Sequence, residues 1–401
     1  MNKTFLNYLR PALAGVLLIA LAACGGGGGS SDIGSSAGSG TLKLALTDAP
    51  ACGFDKVNVT VEKVRVHQSS SAADADGGWS EVVLNQPKKI DLLSLTNGAL
   101  SELGQTPLPA GKYTQLRLVL VDNTQAIPLA NSVVPSVDKI EVPLKTPSGQ
   151  QSGLKIPVNF TVAANQLVDF VLDFDACKSV SVVTAGNSTK YNLKPVLRLI
   201  PRLISGVAGF VEAPLANGNT TVTLQQAGVT LRSTTPDSTG KFVLQPVVPG
   251  SYTLVLTAPD RSTSVVNSVP VVTDTVSFIN TVSTPLVPAT SPTGTLTGTV
   301  STGATPIDAI VRALQTLTSG SKIEVISRLV DGGTGAYSFV LPTAAPRAAS
   351  YVAGPGTLVF SDAGAAGKYT LEATSGGVVK TSAEQTISAS TTTTAPTFTF
   401  P

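Results

Sequence analysis

Histidine is almost missing, with His67 alone in 401 residues. A Ser-His-Asp relay would have to use it. It stands at a strand end beside a polar loop, where it reads as a surface residue. Cysteine is nearly as scarce: Cys24, Cys52 and Cys177 are present, with no C-x-x-C pair. One histidine and three scattered cysteines do not make a metal motif, and no cofactor fingerprint occurs. Trp79 is the only tryptophan. Charged residues are 13%, 27 basic against 25 acidic. Lys3 and Arg10 sit in the N-terminal leader, so the remainder is formally neutral. That argues against nucleic acid, which wants a basic face, and offers no polybasic membrane patch. No long apolar run follows the leader, which argues against a helical membrane bundle. What abounds is Val, Thr, Ser, Gly and Ala, the profile of exported β-domains.

The leader has Lys3 and Arg10 ahead of an apolar stretch, residues 12–23, interrupted by Gly15. Twelve residues fall short of the roughly twenty that span a bilayer. The layout is that of a secretory signal. Leu21-Ala22-Ala23-Cys24 resembles a bacterial lipobox. The resemblance implies cleavage before Cys24 and acylation of its thiol and new amine; the alternative is an ordinary signal with a chance cysteine. Two or more acyl chains anchor stably where one does not. By the same analogy Gly25, where an aspartate would favour inner-membrane retention, points to the outer membrane, on its periplasmic or cell-surface side. Residues 24–40 are almost entirely Gly, Ser and Ala and form a flexible tether. Gly34-Ser35-Ser36-Ala37-Gly38 fits G-x-S-x-G, but tether lies on both sides where a strand and a helix are required. With Cys24 lipidated, Cys52 and Cys177 read as an exported disulfide, or as two separate buried thiols.

Residues 41–203 form the first globular domain. Leu42, Leu44 and Leu46 alternate, as do Val57, Val59 and Val61. The phase then flips to Val64 and Val66, predicting a bulge near Glu62-Lys63. Residues 90–103 make a short helix candidate, split at Asn97-Gly98. Residues 155–162 and 166–175 predict a hairpin. Leu46-Thr47-Asp48-Ala49-Pro50, Val59-Thr60-Val61-Glu62-Lys63-Val64, Ile90-Asp91-Leu92-Leu93, Leu108-Pro109-Ala110-Gly111-Lys112-Tyr113 and Phe174-Asp175-Ala176 occur in order. Together they resemble a bacterial lipoprotein domain family known only as domain of unknown function number 4382. The resemblance implies an exported β-rich domain and no activity. Asp169, Asp173 and Asp175 alternate with apolar residues and predict a wet strand face. Such carboxylates could bind calcium or, as a pair, serve an envelope hydrolase; the plain alternative is a charged solvent face met by Lys or Arg.

A short repeat follows. Gly111-Lys112-Tyr113-Thr114 is echoed by Gly250-Ser251-Tyr252-Thr253 and Gly367-Lys368-Tyr369-Thr370. Each predicts a turn glycine and a Tyr covering a core edge. Residues 204–284 add Gly206-Val207-Ala208-Gly209, Asp237-Ser238-Thr239-Gly240-Lys241-Phe242 and Pro249-Gly250-Ser251-Tyr252. This order resembles the regulatory-like β-sandwich of carboxypeptidases and the prealbumin-like and starch-binding-like modules. Residues 285–293 form a Pro- and Ser/Thr-rich linker. Residues 294–401 are a second, divergent sandwich, with Gly335-Ala336-Tyr337 and an insertion from Thr343 to Gly367.

The expected protein is therefore mostly β. It has one larger β-rich domain with a short helix and two smaller sandwiches, behind a signal peptide (1–23) and tether. No catalytic constellation is present. The function expected is lipid-anchored, non-enzymatic presentation of β-domains to an envelope protein or a glycan ligand, the latter through the starch-binding-like modules.

Overall fold

The computed structural model describes residues 38–48, 53–147, 152–186, 188–354 and 357–401. Cys24 and Cys52 lie outside them. The described chain is mostly strand, in six sheets. Among the described residues no helix is long and apolar enough to cross a membrane.

The first module is two sheets facing each other. Leu42, Leu44 and Leu46 are fully buried between them, as the alternation predicts. Their strand begins at Ser39, slightly ahead of the expected boundary. It pairs antiparallel with Ser101–Pro109 and parallel with Leu167–Phe174, which Leu197–Pro201 closes. The facing sheet is built on Phe54–His67. Its register shifts between Val61 and Lys63, so the bulge falls where the phase flip places it.

Two expectations are corrected. Residues 90–103 are not a helix: Ile90 and Asp91 end a strand, Leu92–Ser94 is one 3-10 turn capped by the Asp91 carboxylate, and Ser101 starts the next strand. The leucines there line the path from one sheet to the other, and Leu92 and Leu95 are buried on the way. Residues 155–162 and 166–175 are not a hairpin either. Leu154–Val162 pairs with Gly111–Leu120, whereas Leu167–Phe174 lies in the opposite sheet. A four-residue turn can cross between sheets as readily as fold back.

The second and third modules repeat one topology. In each, the first strand (Gly206–Phe210; Thr293–Ser301) pairs antiparallel with a later strand (Lys241–Leu244; Ala336–Pro342) and parallel with a terminal one (Val276–Phe278; Thr392–Thr394). The aromatic of the later strand crosses a glycine of the first: Phe242 opposes Gly209 and Tyr337 opposes Gly298. A Cβ on Gly209 would meet the Phe242 ring at 2.6 Å, and one on Gly298 the Tyr337 hydroxyl at 2.2 Å. That close approach is the reason for the Gly-hydrophobic-Gly start. The connection at 285–293 is packed down, with Leu286 buried and its amide bonded to the Phe210 carbonyl at 2.8 Å.

The three repeat tyrosines, Tyr113, Tyr252 and Tyr369, are all buried. Tyr113 donates to the Pro109 carbonyl at 3.0 Å and Tyr252 to the Val248 carbonyl at 2.6 Å, each four residues upstream. Tyr369 makes the same bond across 27 residues, to Pro342 at 2.7 Å. The insertion of the third module is thus spliced into a closed tyrosine corner. Its strand Arg347–Ser350 leaves the third module and pairs parallel with Ser264–Val271 of the second. Tyr351, Leu358 and Phe360 pack on the second core.

An aspartate turn also recurs. The Asp237 carboxylate accepts from the Thr239 amide and hydroxyl, and Asp331 from the Gly333 and Thr334 amides and from the Thr184 hydroxyl of the first module. Burial alone would raise both carboxyls; the hydrogen bonds outweigh it and hold both below the ordinary carboxylate value. Depressed carboxyls stabilise the fold above their unfolded pKa, about 4, and the contribution is lost as pH falls through the lower folded value. The Asp237→Asn, Asp331→Asn double variant is therefore expected to lose less stability than the wild type between about pH 5 and pH 2.5, read from urea midpoints. Parallel acid limbs would contradict this.

Candidate functional site

The strand Leu167–Phe174 and the residue after it carry the acidic pattern Asp169, Asp173 and Asp175. The strand's outer face is only partly wet, with Leu167 exposed and Asp169 half-buried. Val171, on the same face as the aspartates, is fully buried, and the second module covers Asp173. Each carboxylate has a cation. Asp169 lies 3.8 Å from Lys43 and 3.7 Å from Arg202. Asp173 pairs with Arg232 of the second module. Asp175 pairs with Lys178 at 3.0 Å and caps the Ala176–Ser179 helix through the Lys178 amide at 3.1 Å. Among the described residues no group of three His, Cys, Asp or Glu could hold a metal ion.

His67 and Trp79 hold a loop. The Trp79 indole donates to the Ala73 carbonyl at 3.0 Å, and the Arg65 and Arg117 guanidinium carbons each lie 4.5 Å from its ring. The His67 ring contacts the same indole at 5.0 Å and bonds to Gly77 and Ser69. Arg117, 1% exposed, donates to the Ala72 and Ser152 carbonyls at 2.7 and 3.0 Å. The loop from Gln68 to Gly78 is thereby pinned to the sheet, and the tryptophan is engaged inside that pin.

Sequence reasoning missed that the modules close on one another. Asn97 of the first module bonds the second through its amide to Thr234 at 2.8 Å, its side-chain nitrogen to the Lys241 carbonyl at 3.3 Å, and its side-chain oxygen from the Val243 amide at 2.5 Å. The Gly332 amide of the third donates to the Val182 carbonyl of the first at 2.8 Å, and Lys194 pairs with Asp308 at 3.2 Å. Val255, Val265, Leu317, Ile323 and Ala363 make a small apolar core between the second and third.

At this junction lies a cavity of about 360 Å³. The first module contributes Gly53, Asp175, Cys177 and Lys178. The second contributes a hydroxyl-rich wall, including Thr230 and Ser233, and the third contributes Glu324 to Arg328. A second cavity of about 460 Å³ adjoins it and shares Gly53, Cys177 and Arg328. Tyr191 and Tyr337 line that second space. Among the described residues lining them, no catalytic nucleophile–base pair is assembled in either. Ion pairs across module boundaries cannot be read from one strand's pattern, and the only signal available was that Asp173 and Arg232 each stand in an alternating strand.

No curated protein matches the chain. A type II cohesin–X-dockerin complex from Acetivibrio cellulolyticus is 23% identical over 22% of this chain and 59% of its own, with a TM-score of 0.18. The TIE protein of Bacillus anthracis is 13% identical over 90% of this chain and 50% of its own, at 0.16. The major pilin subunit of Bacillus cereus is 11% identical over 90% of this chain and 99% of its own, at 0.16. The named match is to the first module: residues 39–195 match the family described as "Domain of unknown function (DUF4382)".

Proposed function

We propose that this chain is a lipid-anchored, non-enzymatic binding protein of the cell envelope, whose three β-modules jointly present a ligand cleft. The observation that carries this reading is the junction cavity, which all three modules line while Asp169, Asp173 and Asp175 are all held in ion pairs. Acylation of Cys24 supplies the anchor, at the outer membrane, with the Gly-, Ser- and Ala-rich tether leading from it to the strand that begins at Ser39. A Cys52–Cys177 disulfide closes one end of the cleft; Gly53, next in sequence to Cys52, lines both cavities together with Cys177. A polypeptide ligand is favoured over a glycan, because the lone indole is engaged by Arg65 and Arg117 rather than open to a sugar face.

Metabolic labelling tests the anchor. Labelled palmitate is expected on the wild type and absent from Cys24→Ala, and non-reducing mass spectrometry of the same sample reads the Cys52–Cys177 peptide pair. Saturable turnover of generic ester, peptide or glycan substrates by residues 25–401 would overturn the non-enzymatic reading.

A further inference from the structure

The strand Lys322–Leu329 is the last of its sheet among the described residues, with Ile310–Thr316 on one side and no strand on the other. Five consecutive residues of it, Glu324 to Arg328, line the 360 Å³ cavity. Successive side chains of a strand point to opposite faces. A cavity that touches all five therefore runs along the open edge.

The orientation of the peptide groups on that edge follows from two hydrogen bonds. The Val330 amide donates to the Ala309 carbonyl at 3.0 Å, so Val330 faces its partner strand. Bonded and non-bonded pairs alternate in an antiparallel ladder. Arg328 and Ile326 then also face inward, and the Ser327 N–H and C=O face the open side. Glu324 faces the open side too, after a bulge between its register and that of Ile326. There it is already paired. The Gln225 side-chain amide donates to the Glu324 carbonyl at 2.7 Å and accepts from the Glu324 amide at 2.8 Å. This is the double exchange of an antiparallel pair, made by a carboxamide in place of a peptide. The next outward position, Ser327, opens on the cavity.

Arg328 stands beside that open position and lines both cavities. Its one side-chain hydrogen bond is to the Ser338 carbonyl at 3.4 Å, and it forms no ion pair among the described residues. The residue is exposed, so its guanidinium is reachable by a ligand in the cavity.

Resting on the reading of this chain as a binding protein, we infer that the cleft takes an extended peptide segment. The segment adds as a strand beyond the Gln225–Glu324 pair, exchanging two hydrogen bonds with Ser327 and setting a carboxylate on the Arg328 guanidinium. Strand addition draws affinity from main-chain bonds, and a charged pocket fixes register. Val325 to Val330 spans about 17 Å at roughly 3.3 Å per residue, the reach of a short peptide. The carboxylate comes from a free chain end or from an acidic side chain.

Fluorescence anisotropy with the full chain in detergent micelles tests this with three labelled tetrapeptides: Thr-Val-Thr-Val with a free carboxyl end, the same peptide amidated, and amidated Thr-Val-Thr-Asp. At least one carboxylate-bearing peptide is expected to bind saturably, about tenfold or more tighter than the neutral one. Its preference over the other names the source of the carboxylate. Arg328→Gln brings it to the neutral level, while Lys322→Gln on the same strand changes nothing. N-methylation of alternate peptide amides blocks binding in one register and spares it in the other, because an added strand uses only every second N–H. The inference is overturned if no peptide binds saturably up to about 10 mM, if all three bind alike, or if neither N-methyl register matters. Mass spectrometry of the recovered peptides separates the two readings. Cleaved peptide would overturn the non-enzymatic function and leave the binding site standing, whereas intact peptide without binding removes the site alone.

Discussion

Replacing Arg232 with alanine is expected to cost about 3–5 kcal/mol of stability, the range for breaking a buried ion pair from one side. Arg232 and Asp173 have side chains 6% and 12% exposed, and they meet across the boundary of the first and second modules. Arg232 also donates to the Gln245 carbonyl at 2.6 Å. Without the guanidinium, Asp173 remains enclosed with its main countercharge gone. Burial pushes its carboxyl up while Arg232 pulls the other way, so in the variant the protonated form is the one tolerated. A raised acid binds more protons folded than unfolded, and the stability deficit therefore grows as pH rises from about 4 to 7. Urea unfolding at both pH values reads the effect. An apolar pair, Arg232→Met with Asp173→Leu, should recover most of the loss. If Arg232→Ala unfolds like the wild type, the pair does not hold the modules together.

Ala349→Asp is expected to be comparably damaging, by more than about 3 kcal/mol, since it buries a carboxylate with no partner. Ala349 is 5% exposed and pairs in register with the fully buried Val266. The strand it belongs to is covalently part of the third module and structurally part of the second. Its loss should therefore split one cooperative unfolding transition into two, visible by calorimetry. Ser350→Asp, one residue on and exposed, serves as the control and should stay within about 0.5 kcal/mol of the wild type. A single unsplit transition for Ala349→Asp would mean that the second and third modules are coupled by other contacts.

Much of the β-architecture was legible because alternation is a local signal. Leu42, Leu44 and Leu46 face one core, and the phase flip at Glu62 is a bulge. The three Gly-x-Tyr motifs name three corners by their turn chemistry. What local signals could not carry was where each strand goes next. Leu154–Val162 and Leu167–Phe174 look like hairpin partners and belong to opposite sheets. The leucines after Ile90 have an apolar spacing suited to a helix, yet they serve a crossing between sheets. The candidate site was less legible still. Asp173 reads as a solvent charge until Arg232 is placed over it, and the cleft depends on Gln225 meeting Glu324 from 99 residues away. No periodicity encodes a meeting between modules.

The bond from Tyr369 to Pro342 bears on how such chains can grow. It clasps both ends of the inserted arm, so the sandwich is closed whatever lies between. Lengthening a clasped loop is cheap, about 0.6 kcal/mol for each doubling. The arm can therefore change in length and sequence without refolding its own module. The second module has a receiving strand and a short corner; the third has the arm that reaches back to it. A tandem series built on this plan has a direction, each later unit latching onto the one before, and its rule of concatenation is written in the distance between one tyrosine and its carbonyl.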